Sequence, residues 1–82
     1  MVEFVYVYIL RSRCEPDRYY TGITRDLRAR LHEHNRGHVP HTSKFVPWVI
    51  KTAIAFTNPE RAQDFEMYLK SASGRAFSRK RL

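Results

Sequence analysis

A run rich in β-branched and aromatic residues extends from Val2 to Leu10. Alternate residues of a strand point to opposite faces. One face of this run carries Phe4, Tyr6, Tyr8 and Leu10. The other face carries Val5, Val7 and Ile9. Because both faces are apolar, the run predicts an inner strand that is covered on both sides.

Two further segments have the composition of strands. One extends from Tyr19 to the closing residue Gly22, and the other from Trp48 to Phe56. Residues 11–18 predict the loop of a hairpin. Residues 37–47 contain two prolines and two histidines and predict a longer loop.

A helix is predicted between the second and third strands, with Thr24 or Asp26 as its N-cap and Gly37 as its stop. Its i, i+3, i+4, i+7 positions are held by Leu27, Arg30, Leu31 and His34. If that face turns inward, its arginine and histidine need partners, and the face borders a polar site. If the helix is rotated, both lie in solvent, and the pattern leaves both interpretations open.

A second helix is predicted to begin at Asn58-Pro59, an N-cap residue followed by proline. Its inward positions are held by Ala62, Phe65, Glu66 and Leu69. Glu66 has no evident partner nearby in the sequence, and an inward carboxylate usually meets a cation or a metal. Ser73-Gly74 is expected to end this helix, and a short basic helix is expected from Arg75 to Leu82.

Eighty-two residues predict one domain over residues 1–82. No apolar run reaches the roughly 20 residues that cross a bilayer, and the N-terminal run lacks the features of a signal peptide. The single cysteine, Cys14, favours a reducing, cytoplasmic location.

The formal net charge of +7 favours a nucleic-acid partner over an acidic membrane surface, although such a charge also serves solubility. The cations expected to contact nucleic acid are Arg25, Arg28, Lys44, Lys70, Arg75, Arg79 and Lys80.

Three histidines have zinc-ligand spacings: His34, His38 and His41. Gly37 interrupts this group and paired ligands are lacking, so solvated histidines are favoured over a zinc site.

Arg30, Glu66 and the tyrosines suggest phosphodiester hydrolysis. A carboxylate holds Mg²⁺ largely through waters and substrate phosphate. An arginine matches phosphate oxygens and stabilises charge at phosphorus. A tyrosine or histidine positions or deprotonates the attacking water.

The motif residues follow in a fixed order: Tyr6-Val7-Tyr8, Tyr20-Thr21-Gly22, Arg30, His34 and Glu66. Over nearly the whole chain, this order resembles the GIY-YIG nuclease superfamily. It is similar to its small single-domain bacterial members, related to the N-terminal nuclease domain of excinuclease C, and residues 65–75 also resemble that group. Tyr6 departs from the first motif, where the superfamily has glycine, and Thr21 replaces the isoleucine of the second.

The resemblance implies an α/β fold of the α+β type, with a three-stranded antiparallel sheet flanked by about three helices. It also implies a divalent-metal DNA endonuclease, using Mg²⁺ or Mn²⁺, with a role in DNA repair or recombination. The site residues carried over are Tyr8, Tyr20, Arg30, His34 and, as metal ligand, Glu66. Tyr20 is favoured for activating water, because it lies near the end of its strand beside Gly22.

Two other interpretations remain at this point. The first is a nucleic-acid-binding module that keeps the fold without turnover, and the second is an interaction domain whose charge only keeps it in solution. The small size also leaves room for a homodimer or a recruiting protein as a source of DNA specificity.

Overall fold

The computed structural model describes residues 3–82, so Val2 lies outside the described part of the chain. Its strands are β1 (Val5–Ser12), β2 (Tyr19–Thr24) and β3 (Trp48–Phe56). Its helices are α1 (Leu27–Asn35), α2 (Pro59–Leu69) and α3 (Ala72–Arg81), with a short 3-10 helix at Ser43–Phe45. The three strands form one antiparallel sheet in the order β2-β1-β3. The predicted α+β fold and the central position of the first strand are confirmed.

The alternation along β1 creates an apolar core on each face of the sheet. On one face, which we call the back face, Val5, Val7 and Ile9 pack against Ala62 and Leu69 of α2. The opposite, front face has a core formed by Tyr8, Leu10 and Trp48, against which Leu27 and Leu31 of α1 pack. The central strand is therefore covered on both sides, as its sequence predicts.

The boundaries of β2 and α1 differ in part from the prediction. Gly22 lies within β2, which continues to Thr24, so the expectation that this glycine closes the strand is wrong. Asp26, not Thr24, is the N-cap of α1, and its carboxylate accepts a hydrogen bond from the backbone N–H of Ala29. Gly37 follows α1 with a positive φ of 77°, in agreement with its predicted role as a stop.

The junction between α2 and α3 corrects a prediction. Asn58 caps α2 as expected, but the helix ends at Leu69 and not at Ser73-Gly74. Ser71 then caps α3, where its hydroxyl accepts a hydrogen bond from the N–H of Gly74 at 3.1 Å. A Cβ on Gly74 would collide with the backbone of Tyr68. Gly74 therefore lies within α3 and does not end a helix. The absence of a side chain at this position lets α3 pack closely against the end of α2.

Two observations bear on environment. None of the helices within residues 3–82 has the length and apolar character needed to cross a bilayer. Cys14 is exposed and carries a free thiol.

Candidate active site

The pairing of β1 with β2 places two tyrosines together on the front face. Tyr8 pairs with Gly22, and Leu10 pairs with Tyr20, so both tyrosines lie on the same face as the front core. Their ring centroids are 6.3 Å apart. A Cβ on Gly22 would lie only 2.5 Å from the Tyr8 hydroxyl. The glycine is therefore required because the side chain of Tyr8 occupies the space beside it.

Helix α1 adds His34 and Arg30 to the same face. His34 is fully buried, and the centroid of its ring lies 4.8 Å from that of Tyr20 and 6.0 Å from that of Tyr8. The Arg30 side chain is 35 % exposed and lies 3.9 Å from Glu33. Of the two interpretations of this helix face, the structure supports the one in which it turns inward to a polar cluster.

A chain of hydrogen bonds fixes the orientation and the tautomer of His34. The Tyr8 hydroxyl lies 3.0 Å from His34 Nε2, and His34 Nδ1 lies 2.8 Å from Thr42 Oγ1. The Thr42 hydroxyl donates its single proton to the Val39 carbonyl at 3.3 Å. Since that proton is used, Thr42 must accept from Nδ1–H of His34. Nε2 of the neutral ring is then an acceptor, and Tyr8 donates its hydroxyl proton to it.

The electrostatics of the cluster agree with this assignment. Burial lowers the pKa of His34, and the nearby positive charge of Arg30 lowers it further, while Glu33 has the opposite effect. The ring is therefore neutral near pH 7, where an unperturbed histidine with a pKa of about 6.5 is also mostly neutral. A neutral ring can act as the acceptor that Tyr8 needs.

The Tyr8 hydroxyl is held in its protonated form. Burial raises its pKa, and a hydrogen-bonding interaction with the Arg30 guanidinium partly offsets the rise. The negative charge of Glu66 adds a smaller upward contribution. In return, Tyr8 raises the pKa of Arg30, so the guanidinium remains charged. The pKa values of Tyr8, His34 and Arg30 are therefore set partly by interactions among these three residues.

Glu66 lies on α2, which packs on the back face, and within residues 3–82 no hydrogen bond or ion pair joins its side chain to the front-face residues. The residue is buried, and its Oε2 lies 2.6 Å from the Lys70 ammonium. The expectation that Glu66 has no partner nearby in the sequence is therefore wrong, because an i, i+4 lysine on the same helix pairs with it. Glu66 affects the front-face residues electrostatically, because its negative charge makes a small contribution to the raised pKa of Tyr8.

The residues with metal-binding chemistry do not form a closed cage. Among residues 3–82, no three His, Cys, Asp or Glu side chains lie together in a way that could hold a metal ion. His38 and His41 are exposed, whereas His34 is buried beside Tyr8 and Tyr20. A single carboxylate that uses only Oε2 for its ion pair still fits Mg²⁺, which keeps most of its water ligands.

The cations predicted to bind nucleic acid occupy different environments. Arg25 lies 3.9 Å from Glu3, and Lys70 is paired with Glu66. The remaining five are exposed: Arg28, Lys44, Arg75, Arg79 and Lys80.

Thr42, which orients His34, was missed by the sequence analysis, because a threonine in a loop carries no pattern that links it to a helix histidine.

The lowered pKa of His34 predicts that acidification destabilises the fold. Between the folded pKa and the unfolded value of about 6.5, the unfolded chain binds a proton that the folded chain does not. The free energy of unfolding should therefore decrease as the pH falls from about 7 through this window. Urea unfolding at a series of pH values should show a weaker decrease for His34→Gln. The exposed control His41→Gln should follow the wild-type curve, and a His34→Gln curve parallel to wild type would contradict the assignment.

The chain matches a known protein family. The model of the GIY-YIG catalytic domain family matches residues 4–81. Neither the curated proteins nor the solved structures give a significant match. Members of this family are usually endonucleases and generally use divalent metal ions. Because the match extends over almost the entire described chain, the protein belongs to the GIY-YIG catalytic domain family.

Proposed function

We propose that the chain is a divalent-metal-dependent DNA endonuclease whose active site is the front-face cluster. The observation that carries the proposal is the convergence of Tyr8, Tyr20, His34 and Arg30, which come from two strands and one helix. A half-exposed guanidinium beside buried hydroxyl and imidazole groups suits a phosphodiester, which needs a fixed cation and a group that handles a proton. The proposed nuclease domain covers residues 1–82, and repair or recombination of DNA is its proposed role.

Arg30 would bind the scissile phosphate. Its guanidinium presents a planar fork to two phosphate oxygens and remains charged throughout. The side chain is only 35 % exposed, so the surrounding residues restrict it before the substrate arrives. Such a prearranged cation stabilises the charge that develops at phosphorus without reorganisation during the reaction.

Tyr20 would orient or activate the attacking water. Tyr8 is only 2 % exposed and its hydroxyl is already engaged with His34, whereas Tyr20 is only half-buried and accessible to water. The Tyr8–His34 pair then supports the ring of Tyr20, which lies next to the imidazole. This is the division of roles that we propose for the two motif tyrosines.

Glu66 would hold the metal ion, for which Mg²⁺ or Mn²⁺ is proposed. A bound divalent ion neutralises charge on the phosphate and helps to generate the nucleophile. The Glu66 carboxylate would supply one hard oxygen ligand, and its ion pair with Lys70 orients the group.

Replacing each tyrosine by phenylalanine separates their roles. Tyr20→Phe should reduce the single-turnover cleavage rate more than Tyr8→Phe does, at equal DNA affinity, because Tyr20 is half-buried and accessible to water, whereas Tyr8 is buried. Both variants retain the aromatic ring and its packing. The opposite order would assign the water to Tyr8, and near-normal rates in both variants would assign it to His34.

The activity itself is tested by incubating the purified chain with supercoiled and branched DNA. We expect nicked or cut product with Mg²⁺ or Mn²⁺ and none with excess chelator. Binding without cleavage of either DNA in any metal would instead support the alternative function, a DNA-binding module of the same fold.

DNA affinity is predicted to fall steeply as salt increases. Each lysine or arginine that neutralises a phosphate releases counterions on binding, so several such contacts give a steep decrease in the binding constant. Fluorescence anisotropy with a labelled duplex between low and physiological salt measures the slope. A flat dependence would contradict both the nuclease and the binding-module proposals and would favour an interaction domain.

A further inference from the structure

A groove lies on the back face, away from the tyrosine cluster. Its volume is about 470 Å³, within the range of sites that hold small ligands. Thr21 lines the groove and pairs with Ile9, which belongs to the back core. Tyr19 also lines it and shares the face of Thr21, because alternate strand residues point the same way. The intervening Tyr20 points to the front face, so the sheet separates this groove from the front-face tyrosines and His34.

The groove is strongly cationic. Lys51 of β3 and Arg75 and Arg79 of α3 line it, and the two arginines are four residues apart on one side of the helix. Within residues 3–82, none of the three forms an ion pair with a carboxylate. Asp17 is the single acidic residue of the lining. Three cations facing one carboxylate leave an excess of positive charge that suits an anionic ligand.

The groove also offers an aromatic surface and a hydroxyl. The Tyr19 ring is about half exposed, and the Lys51 ammonium lies over it, 5.0 Å from its centroid. Ser78 of α3 adds a hydrogen-bonding group beside the arginines. Cations next to an accessible aromatic ring are the combination by which proteins bind single-stranded nucleic acid, with phosphates on the cations and a base or sugar against the ring.

We propose that this back groove is a second nucleic-acid site, which binds a nucleotide unit of a single strand through its phosphate. Lys51, Arg75 and Arg79 hold the phosphate, and Tyr19 contacts the base or sugar. Asp17 opposes binding by repulsion. The proposal concerns the back groove alone and stands whether or not the front face cleaves DNA.

The test uses the full chain and a labelled oligothymidylate, with binding followed by fluorescence anisotropy at several salt concentrations. The double variant K51A/R79A removes two groove cations and should bind more weakly. The slope of log binding constant against log salt should become shallower by about 1.4, since each phosphate contact on a single strand contributes about 0.7. Asp17→Asn should bind more tightly than wild type, because it removes the repulsion.

The matched control is R36A/R61A, which removes the same charge from exposed positions outside the groove lining. It should retain the wild-type slope. An equal loss in both double variants, or an Asp17→Asn variant no tighter than wild type, would show only diffuse charge attraction and overturn the proposal. Circular dichroism establishes that each variant is folded. Because Tyr19, Lys51 and Arg79 are all exposed, substitutions in the groove leave the core undisturbed.

Amide chemical shifts locate the ligand directly. Oligothymidylate should shift the amides of Thr21, Lys51 and Ser78 in the wild-type chain, and inorganic phosphate should shift a subset of the same signals at higher concentration. Shifts by phosphate as strong as those by the oligonucleotide would indicate a site for free phosphate and contradict a strand site. Shifts confined to the front face would place the strand there and leave the groove without a ligand. Since DNA cleavage is measured separately, failure of the groove proposal is distinguishable from failure of the proposed nuclease.

Discussion

Glu66→Gln is expected to abolish DNA cleavage while DNA binding remains nearly intact. Glutamine preserves the size and the hydrogen-bonding oxygen of the side chain but removes the charge that a divalent ion requires. Losing metal assistance removes several kcal/mol of transition-state stabilisation, and each 1.36 kcal/mol is a factor of ten. The expected loss in single-turnover rate is therefore on the order of 10³-fold or more.

The fold should tolerate this change. Glu66 pairs with Lys70, whose side chain is 54 % exposed, so breaking the pair returns the lysine to water at little cost. Glu60→Gln on the same helix is the matched control, because Glu60 is exposed and its loss changes the net charge equally. A Glu66→Gln variant that cuts at the rate of Glu60→Gln would place the metal elsewhere.

Arg30→Lys is expected to reduce the cleavage rate by roughly 10²-fold or more, the scale of removing one preorganised charge stabiliser. Lysine retains the positive charge, but it has no planar fork for two phosphate oxygens. It also removes the guanidinium whose pKa Tyr8 raises, and with it the electrostatic link between these two residues. Single-turnover kinetics at saturating DNA isolate this effect from binding.

Arg28→Lys provides the control for this substitution. Arg28 lies on the same helix but is exposed and takes no part in the tyrosine cluster. Its lysine variant should cleave at close to the wild-type rate. If Arg30→Lys and Arg28→Lys behave alike, Arg30 contributes only surface charge and the proposed phosphate site is wrong.

Much of the fold could be predicted because local patterns agree with the tertiary structure. The bounds of β3 and the Asn58 cap of α2 follow directly from composition and capping chemistry. Gly74 could not be interpreted in this way. A glycine commonly ends a helix, but its role here depends on the approach of the Tyr68 backbone, which only the folded chain creates.

The sequence also predicted part of the candidate site, namely the residues that helical periodicity identifies. Hydrophobic periodicity put Arg30 and His34 on the apolar-spaced face of α1 but left open whether that face turns inward. In the structure, both lie with the front-face tyrosines. Thr42 could not be found, because its contact with His34 arises from the folding of a loop. The Glu66–Lys70 pair, in contrast, could be predicted from the sequence, since i, i+4 residues adjoin on a helix.

If Glu66 and the front-face cluster form a metal-dependent nuclease site, DNA cleavage requires both the divalent ion and the Glu66 carboxylate. The most direct measurement is the single-turnover rate of DNA cleavage as a function of Mg²⁺ concentration, for wild type and Glu66→Gln at saturating DNA. The wild-type rate should rise with Mg²⁺ and reach a plateau, while the variant should remain near zero throughout. A variant that follows the same Mg²⁺ dependence to the same plateau, or a wild-type rate unaffected by chelator, would contradict the claim.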